Sequence, residues 1–231
     1  MHADRLARVA AVLTDQDDRP VLERLLDASV EMLDADGAGI AIISEGQHQG
    51  ALALSAGTLD GVDELQFTLG EGPCLDADRS ARPVLEGDLA ACAARWPVFV
   101  PEAMARGVYA VFAFPMRIGS IRMGVYSIYR DRPERLADED IGDALAICQV
   151  ATHLLLDLEE DLNADALPAQ LEDVIGQRRE IHQATGMVAA QLGLSPNDAM
   201  ARLRAYSWAQ ERTIHEVALD VVTGALRFTD Q

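Results

Sequence analysis

Residues 179–222, REIHQATGMVAAQLGLSPNDAMARLRAYSWAQERTIHEVALDVV, decide how the C-terminal part of the chain is read. With their flanks from Pro168 to Phe228 they spell three consecutive helices. Leu171, Val174, Ile181, Val188 and Leu192, with Arg178 and Thr185 between them, step by three and four along the first. That spacing is a heptad seam with two polar positions. Gly193 stands where a C-cap glycine ends a helix. Ser195-Pro196-Asn197-Asp198 restarts one, with Ser195 as N-cap, Pro196 at the first helical position and Asp198 closing a capping box. Thr213-Ile214-His215-Glu216 repeats the device. Ile214, Val217, Ala218, Val221 and Val222 form the apolar face of the third helix, which Gly224 ends.

The segment resembles the ANTAR domain, a three-helix RNA-binding module of bacterial transcription antiterminators. The resemblance rests on Ala184-Thr185-Gly186-Met187, on Ala199 with Leu203-Arg204-Ala205-Tyr206, and on Val217-Ala218 with Val221-Val222. It implies binding to paired hairpin loops in nascent mRNA, which keeps a terminator hairpin from forming. Unpaired bases are read by arginine and aromatic stacking, which needs a compact site rather than a broad one. The residues expected to touch RNA are Arg178, Arg179, Gln183, Thr185, Arg202, Arg204, Tyr206 and Ser207. Arg204 carries the most weight, because the Leu-Arg pair belongs to the motif. Trp208 is assigned to the core.

Charge agrees with a local site. The chain of 231 residues has a net charge of −19 and no lysine. Residues 168–231 hold eight acids and six arginines, net −2, whereas the remainder holds thirty acids and thirteen arginines, net −17. An extended nucleic-acid-coating surface is excluded, and any RNA affinity falls to a small patch. The length suits one large domain or two ordinary ones. The longest apolar runs fall far short of the eighteen or so residues of a membrane helix, and no signal peptide opens the chain. A cytoplasmic protein without membrane association is the expectation.

Upstream, residues 1–14 and 21–33 read as amphipathic helices separated by a polar break. Ala38–Ser44 and Gly50–Ser55 read as strands bracketing the loop Glu45-Gly46-Gln47-His48, and Leu65–Leu69 as a further strand. Gly70 to Asp76 is a tight turn into a short helix, Pro83–Glu86 a short strand, and Ala94–Arg106 a helix. Tyr109–Ile118 and Ile121–Tyr129 are joined across Gly119-Ser120, a two-residue hairpin. A long helix follows from Asp138 to about Leu162. This order predicts an α+β fold around an antiparallel sheet with flanking helices.

The phrases LGEGPCLDADRSARPVLEGDL (69–89), RWPVFVPEAMARGV (95–108) and FAFPMRIGSIRMGVYSIYRDRP (112–133) give this part a resemblance to a GAF domain, a sensory or dimerising module. The expected architecture is a GAF sensor domain over 1–162, a connector at 163–169 with a hinge at Asn163–Pro168, and an all-α three-helix ANTAR domain over 170–231. The resemblance implies a small-molecule pocket between the sheet and the 70–106 segment, with an unnamed occupant.

No catalytic or metal-binding constellation stands out. His215-Glu216 lacks the second histidine of a zinc helix, and no nucleophile elbow or phosphate loop is present. Cys74, Cys92 and Cys148 lie far apart without a CxxC pair and read as reduced thiols. Cys74 follows Pro73 at a helix start, where the positive dipole end would lower its pKa. It is the candidate for ligand or redox sensing, beside the plain reading as a small buried hydrophobe. The function expected is therefore a non-enzymatic, signal-responsive RNA-binding regulator. The alternatives are a DNA-binding regulator built like a helix-turn-helix and a GAF protein acting through protein docking. A homodimer is expected, paired through the Leu171–Leu192 seam and a second apolar face of Ile141, Leu145, Cys148, Thr152 and Leu155.

Overall fold

The computed structural model describes residues 2–13, 19–44, 47–56, 61–161 and 169–229. Two helices, α1 (His2–Leu13) and α2 (Val21–Met32), precede strands β1 (Gly37–Ser44) and β2 (Gln47–Leu54). Then come α3 (Val62–Leu69), α4 (Pro73–Ser80), β3 (Val84–Glu86), a 3-10 turn at Leu89–Cys92, and α5 (Phe99–Ala105). Strands β4 (Ala110–Ile118) and β5 (Ile121–Arg130) lead to the long helix α6 (Asp138–Asp161). The remainder is helical: α7 (Ala169–Leu192), α8 (Pro196–Ala209) and α9 (Ile214–Thr223). The chain divides into two compact units, Met1–Phe67 with Glu71–Leu167 and Pro168–Gln231 with Thr68–Gly70. The expected hinge at 163–168 lies outside the described residues, as do Glu45 and Gly46 of the first hairpin loop.

In the first unit the sheet order is β2-β1-β5-β4-β3, with every pairing antiparallel. The hairpin across Gly119-Ser120 pairs Ile118 with Ile121, as its two-residue loop requires. Side chains alternate between the faces. Phe112, Phe114 and Met116 of β4 and Tyr126 and Ile128 of β5 enter one apolar core with Leu22, Leu25 and Leu26 of α2 and Ala144, Ile147, Ala151 and Leu155 of α6. Val111, Ala113, Ser127 and Tyr129 alternate onto the other face, where α4 packs across β3, β4 and β5. One face is thus closed by hydrocarbon, the other by a mixed layer.

The phrases at 70–76 and 95–99 prove to be two halves of one clasp. Glu71 Oε1 accepts the backbone N–H groups of Val98 and Phe99, each at 2.8 Å, and so caps α5 from a distance in sequence. Trp96 Nε1 donates to Asp76 at 3.2 Å, while Arg95 pairs with both Asp76 and Glu86. The Trp96 ring is buried edge-on against Phe99. Glu71→Ala should destabilise the fold by about 1–3 kcal/mol, since two amides lose a charged acceptor. Glu71→Gln should recover part of that in urea unfolding, and equal losses from both would rule out the cap.

Three expectations for this unit change. Leu65–Leu69 is helical, not extended: Val62, Leu65 and Leu69 share a buried or half-buried helical face, and Leu65 N–H donates to Gly61 O at 2.8 Å. Five residues that alternate apolar and polar are too short a run to fix the period, and the tertiary setting decides. Ala94–Arg106 is not one helix either. Pro97 keeps the preceding residue out of helical geometry, so α5 begins at Phe99. Finally, the second dimer face is largely spent inside the domain. Cys148, Thr152 and Leu155 are buried, and Leu145 is exposed.

In the second unit α7 packs against both α8 and α9. Ser195 Oγ accepts Asp198 N–H at 3.2 Å and gives its own proton to Asp198 Oδ2 at 2.6 Å. Thr213 and Glu216 form the full reciprocal box before α9. Gly193 and Gly224 take φ of +65° and +80°, the left-handed exits a glycine allows.

Candidate functional site

The three-helix unit turns Ile181, Ala184, Thr185 and Val188 of α7 inward, onto Ala199, Met200 and Leu203 of α8 and Ile214, Val217, Ala218 and Val221 of α9. Three sites of the predicted RNA set are wholly or partly enclosed here. Thr185 is buried, and its hydroxyl donates to Ile181 O at 2.7 Å. It lies on the seam itself, whose Ile181, Thr185 and Val188 are buried in the bundle while Leu192 is half-buried. Ser207 is fully buried, because it stands four residues after Leu203 on the same inward face. Tyr206 is half-buried, its ring edge-on to Phe228 with centroids 5.2 Å apart. Phe228 is held there by its N–H donating to Gln191 Oε1 at 2.9 Å.

Arg179, Gln183 and Arg202 are exposed, Arg204 is half-buried, and the Arg178 side chain lies outside the described residues. Trp208, assigned to the core, is 38% exposed. It follows Ser207 by one residue and is therefore swung about 100° off the packed face.

On α7, Arg179, Gln183, Gly186 and Ala190 all fall within roughly 60° of one another at 100° per residue, and all four are exposed. Gly186 is a member of this stripe that residue type alone does not single out. It sits mid-helix, and a Cβ built there meets no atom within 4 Å. Glycine in a helix interior is disfavoured by roughly 0.5–1 kcal/mol relative to alanine, and the fold supplies no steric reason for it. Its signal in the sequence is a glycine inside a helical pattern. The resulting stripe is a bare helix surface flanked by an arginine and a carboxamide.

The first unit carries the other candidate. Asp63 and Gln66 of α3, Cys74 of α4, and Ser127 and Tyr129 of β5 are all buried and joined. Gln66 Oε1 accepts Cys74 N–H at 2.9 Å, and Gln66 Nε2 lies 3.0 Å from Cys74 Sγ. Cys74 Sγ and Ser127 Oγ are 2.9 Å apart, and Tyr129 O–H donates to Asp63 Oδ1 at 2.5 Å. Burial first, and then the Asp63 charge, push the Cys74 thiol up to about 12. That direction is opposite to the one the helix start suggests. Desolvation outweighs the dipole because the sulfur is fully enclosed, so Cys74 is held as a thiol rather than a reactive thiolate. Asp63 is pushed up to about 6 by burial, partly offset by the Tyr129 hydrogen bond.

Among the described residues, no group of three or more histidine, cysteine and acidic side chains is placed to hold a metal ion. No described helix is long and apolar enough to cross a membrane.

A GAF domain model matches residues 16–152, and an ANTAR domain model matches residues 169–222. No curated protein matches the chain. Among solved structures, the GAF domain of a phosphoenolpyruvate-protein phosphotransferase from Acinetobacter is 14% identical, with a TM-score of 0.55. That match covers 71% of this chain and 98% of that one. The GAF domain of the corresponding protein from Coxiella burnetii is 15% identical, with a TM-score of 0.52, covering 69% of this chain and 95% of that one. A domain assigned to a two-component sensor histidine kinase protein of Sinorhizobium meliloti 1021 is 23% identical at a TM-score of 0.52, covering 66% of this chain and 100% of that one. At these identities the likeness concerns the fold. The α+β layer with its five-stranded antiparallel sheet and the three helices after it agree with both models, and the chain belongs to the GAF domain family, its GAF domain followed by an ANTAR domain.

Proposed function

We propose that this protein is a signal-responsive RNA-binding regulator that grips hairpin loops in nascent mRNA through its ANTAR domain and promotes transcription antitermination. It makes and breaks no covalent bond, acts in the cytoplasm, and works as a homodimer whose two ANTAR domains meet two hairpins. GAF domains are sensor modules and ANTAR domains are RNA-binding modules, so the pairing of the two supports regulation by an input at the first domain. The observation that carries the RNA reading is the exposed α7 stripe of Arg179, Gln183, Gly186 and Ala190. A helix without a side chain at 186 and with a methyl at 190 lets a nucleotide backbone or an unstacked base come close. Arg179 and Gln183 at its upper edge supply donors for phosphate and base edges. Arg202 on α8 adds a further exposed cation.

Gly186→Ala tests the reading, because its two effects have opposite signs. The added methyl should stabilise α7 by roughly 0.5–1 kcal/mol in thermal unfolding. The same methyl should weaken binding of a two-hairpin RNA about tenfold, ~1.4 kcal/mol, in fluorescence anisotropy. A stabilised protein with unchanged RNA affinity would remove the stripe from the interface. Tighter binding to duplex DNA than to the hairpin RNA would favour the DNA-binding alternative, and no binding to either would favour protein docking.

A further inference from the structure

Asp63 is 3% exposed, and its two carboxylate oxygens differ. Oδ1 accepts the Tyr129 hydroxyl, whereas Oδ2 is buried without a hydrogen-bond partner. On the side of β1 and β2, Oδ2 is closely packed. A Cβ placed on Gly39 of β1 would lie 2.7 Å from it and 3.0 Å from Leu54 of β2.

The groups around Asp63 offer no compensating charge. From β5 comes Tyr129 and from α4 Cys74, both acids in their titratable forms and both pushed up by burial first and then by the Asp63 charge. From β1 and β2 come Gly39 and Leu54, which carry no charge. Its own helix adds Gln66 and, one residue on, Glu64. Among the described residues no arginine or histidine forms an ion pair with it. Position in the first turn of α3 favours the anion, but a carboxylate taken out of water with one oxygen unpartnered is strongly disfavoured against the neutral acid.

We infer that Asp63 is a proton-binding site of the GAF unit, and that losing its proton loosens the seating of α3 against the sheet. The ligand of this site is a proton, which needs no more room than the close packing beside Oδ2 leaves. Its midpoint of about 6 in the fold, against 3.8 for the unperturbed group, puts the transition where modest acidification is felt. A carboxyl whose folded value is raised contributes stability that is fully present below pH 3.8 and is lost as pH rises through about 6. A midpoint raised by about two pH units changes the folding equilibrium about a hundredfold.

Three measurements on the full chain test this. In urea unfolding, Asp63→Asn should fold more favourably than the parent at about pH 7.5, and the ratio of their folding constants should shrink by more than about tenfold as pH falls to about 4. A pH-independent ratio would overturn the inference. Should the variant fail to fold, the parent decides alone: the Asp63 carboxyl carbon, followed by NMR, should titrate near pH 6. A midpoint at or below about 4 would overturn the proton site. Protection of the α3 amides from hydrogen exchange should drop above about pH 6 in the parent; unchanged protection would overturn the loosening of α3.

Discussion

Gly124→Ala is expected to be the most damaging single-methyl change in the GAF domain, costing upward of about 3 kcal/mol. Gly124 lies on the central strand β5, opposite Ile42 of β1 on one side and Met116 of β4 on the other. A Cβ there would stand 2.2 Å from the carbonyl oxygen of Ala41 and 3.2 Å from its carbonyl carbon. Both obstacles are backbone, so no side-chain rotation relieves the clash. The β1 and β5 strands must part, and their ladder breaks where the register of β4 against β5 already shifts, between Met116 and Arg117. Urea unfolding should give a much lower midpoint with nearly the same m-value. A loss under about 1 kcal/mol would mean that β1 can yield at Ala41 and that the close approach is not required.

Leu203→Ala should have a comparable effect on the ANTAR domain. Leu203 is fully buried in α8, between Met200 and Ser207 on the face turned to α7 and α9. Truncating a buried leucine costs about 2–5 kcal/mol through lost transfer energy and the cavity left behind. A bundle of this size has a total stability of only a few kcal/mol, at about 0.05–0.15 kcal/mol per residue. The variant should therefore lose much of the helical circular dichroism of α7–α9, and its hairpin-RNA binding with it. Arg202→Ala, one residue away on the exposed side, should change stability by less than about 0.5 kcal/mol. Retained helicity in Leu203→Ala would show that the bundle repacks around the gap.

Local chemistry is the most legible part of the sequence. Ser195 and Thr213 cap the helices their spacing predicts, and Gly119-Ser120 turns the hairpin, because each signal involves neighbours within four residues. Leu65–Leu69 reads as extended yet folds as helix, because helix and strand periods coincide over so short a run. Trp208 and Ser207 exchange places between surface and core: on a helix rich in alanine, residue type leaves the inward stripe ambiguous by one position. The pKa of Cys74 is legible in neither sign nor size. The helix start is local, but the burial that dominates it and the Asp63 charge that adds to it arise only in the folded packing, and the hydrogen bonds of Gln66, Ser127 and Tyr129 offset them in part. For the same reason nothing in the sequence marks Asp63 out as one acid among thirty-eight.

The clasp between Glu71 and α5 bears on the order in which the domain assembles. At seven residues α5 is far too short to persist alone, and the acceptor for its first amides lies 27 and 28 positions upstream. Chain closure over that distance must come before the helix gains its cap. The β4–β5 hairpin needs no such closure, since its turn spans two residues. The hairpin is therefore placed early in folding and α5 late, so that losing Glu71 should speed unfolding while leaving the folding rate nearly untouched.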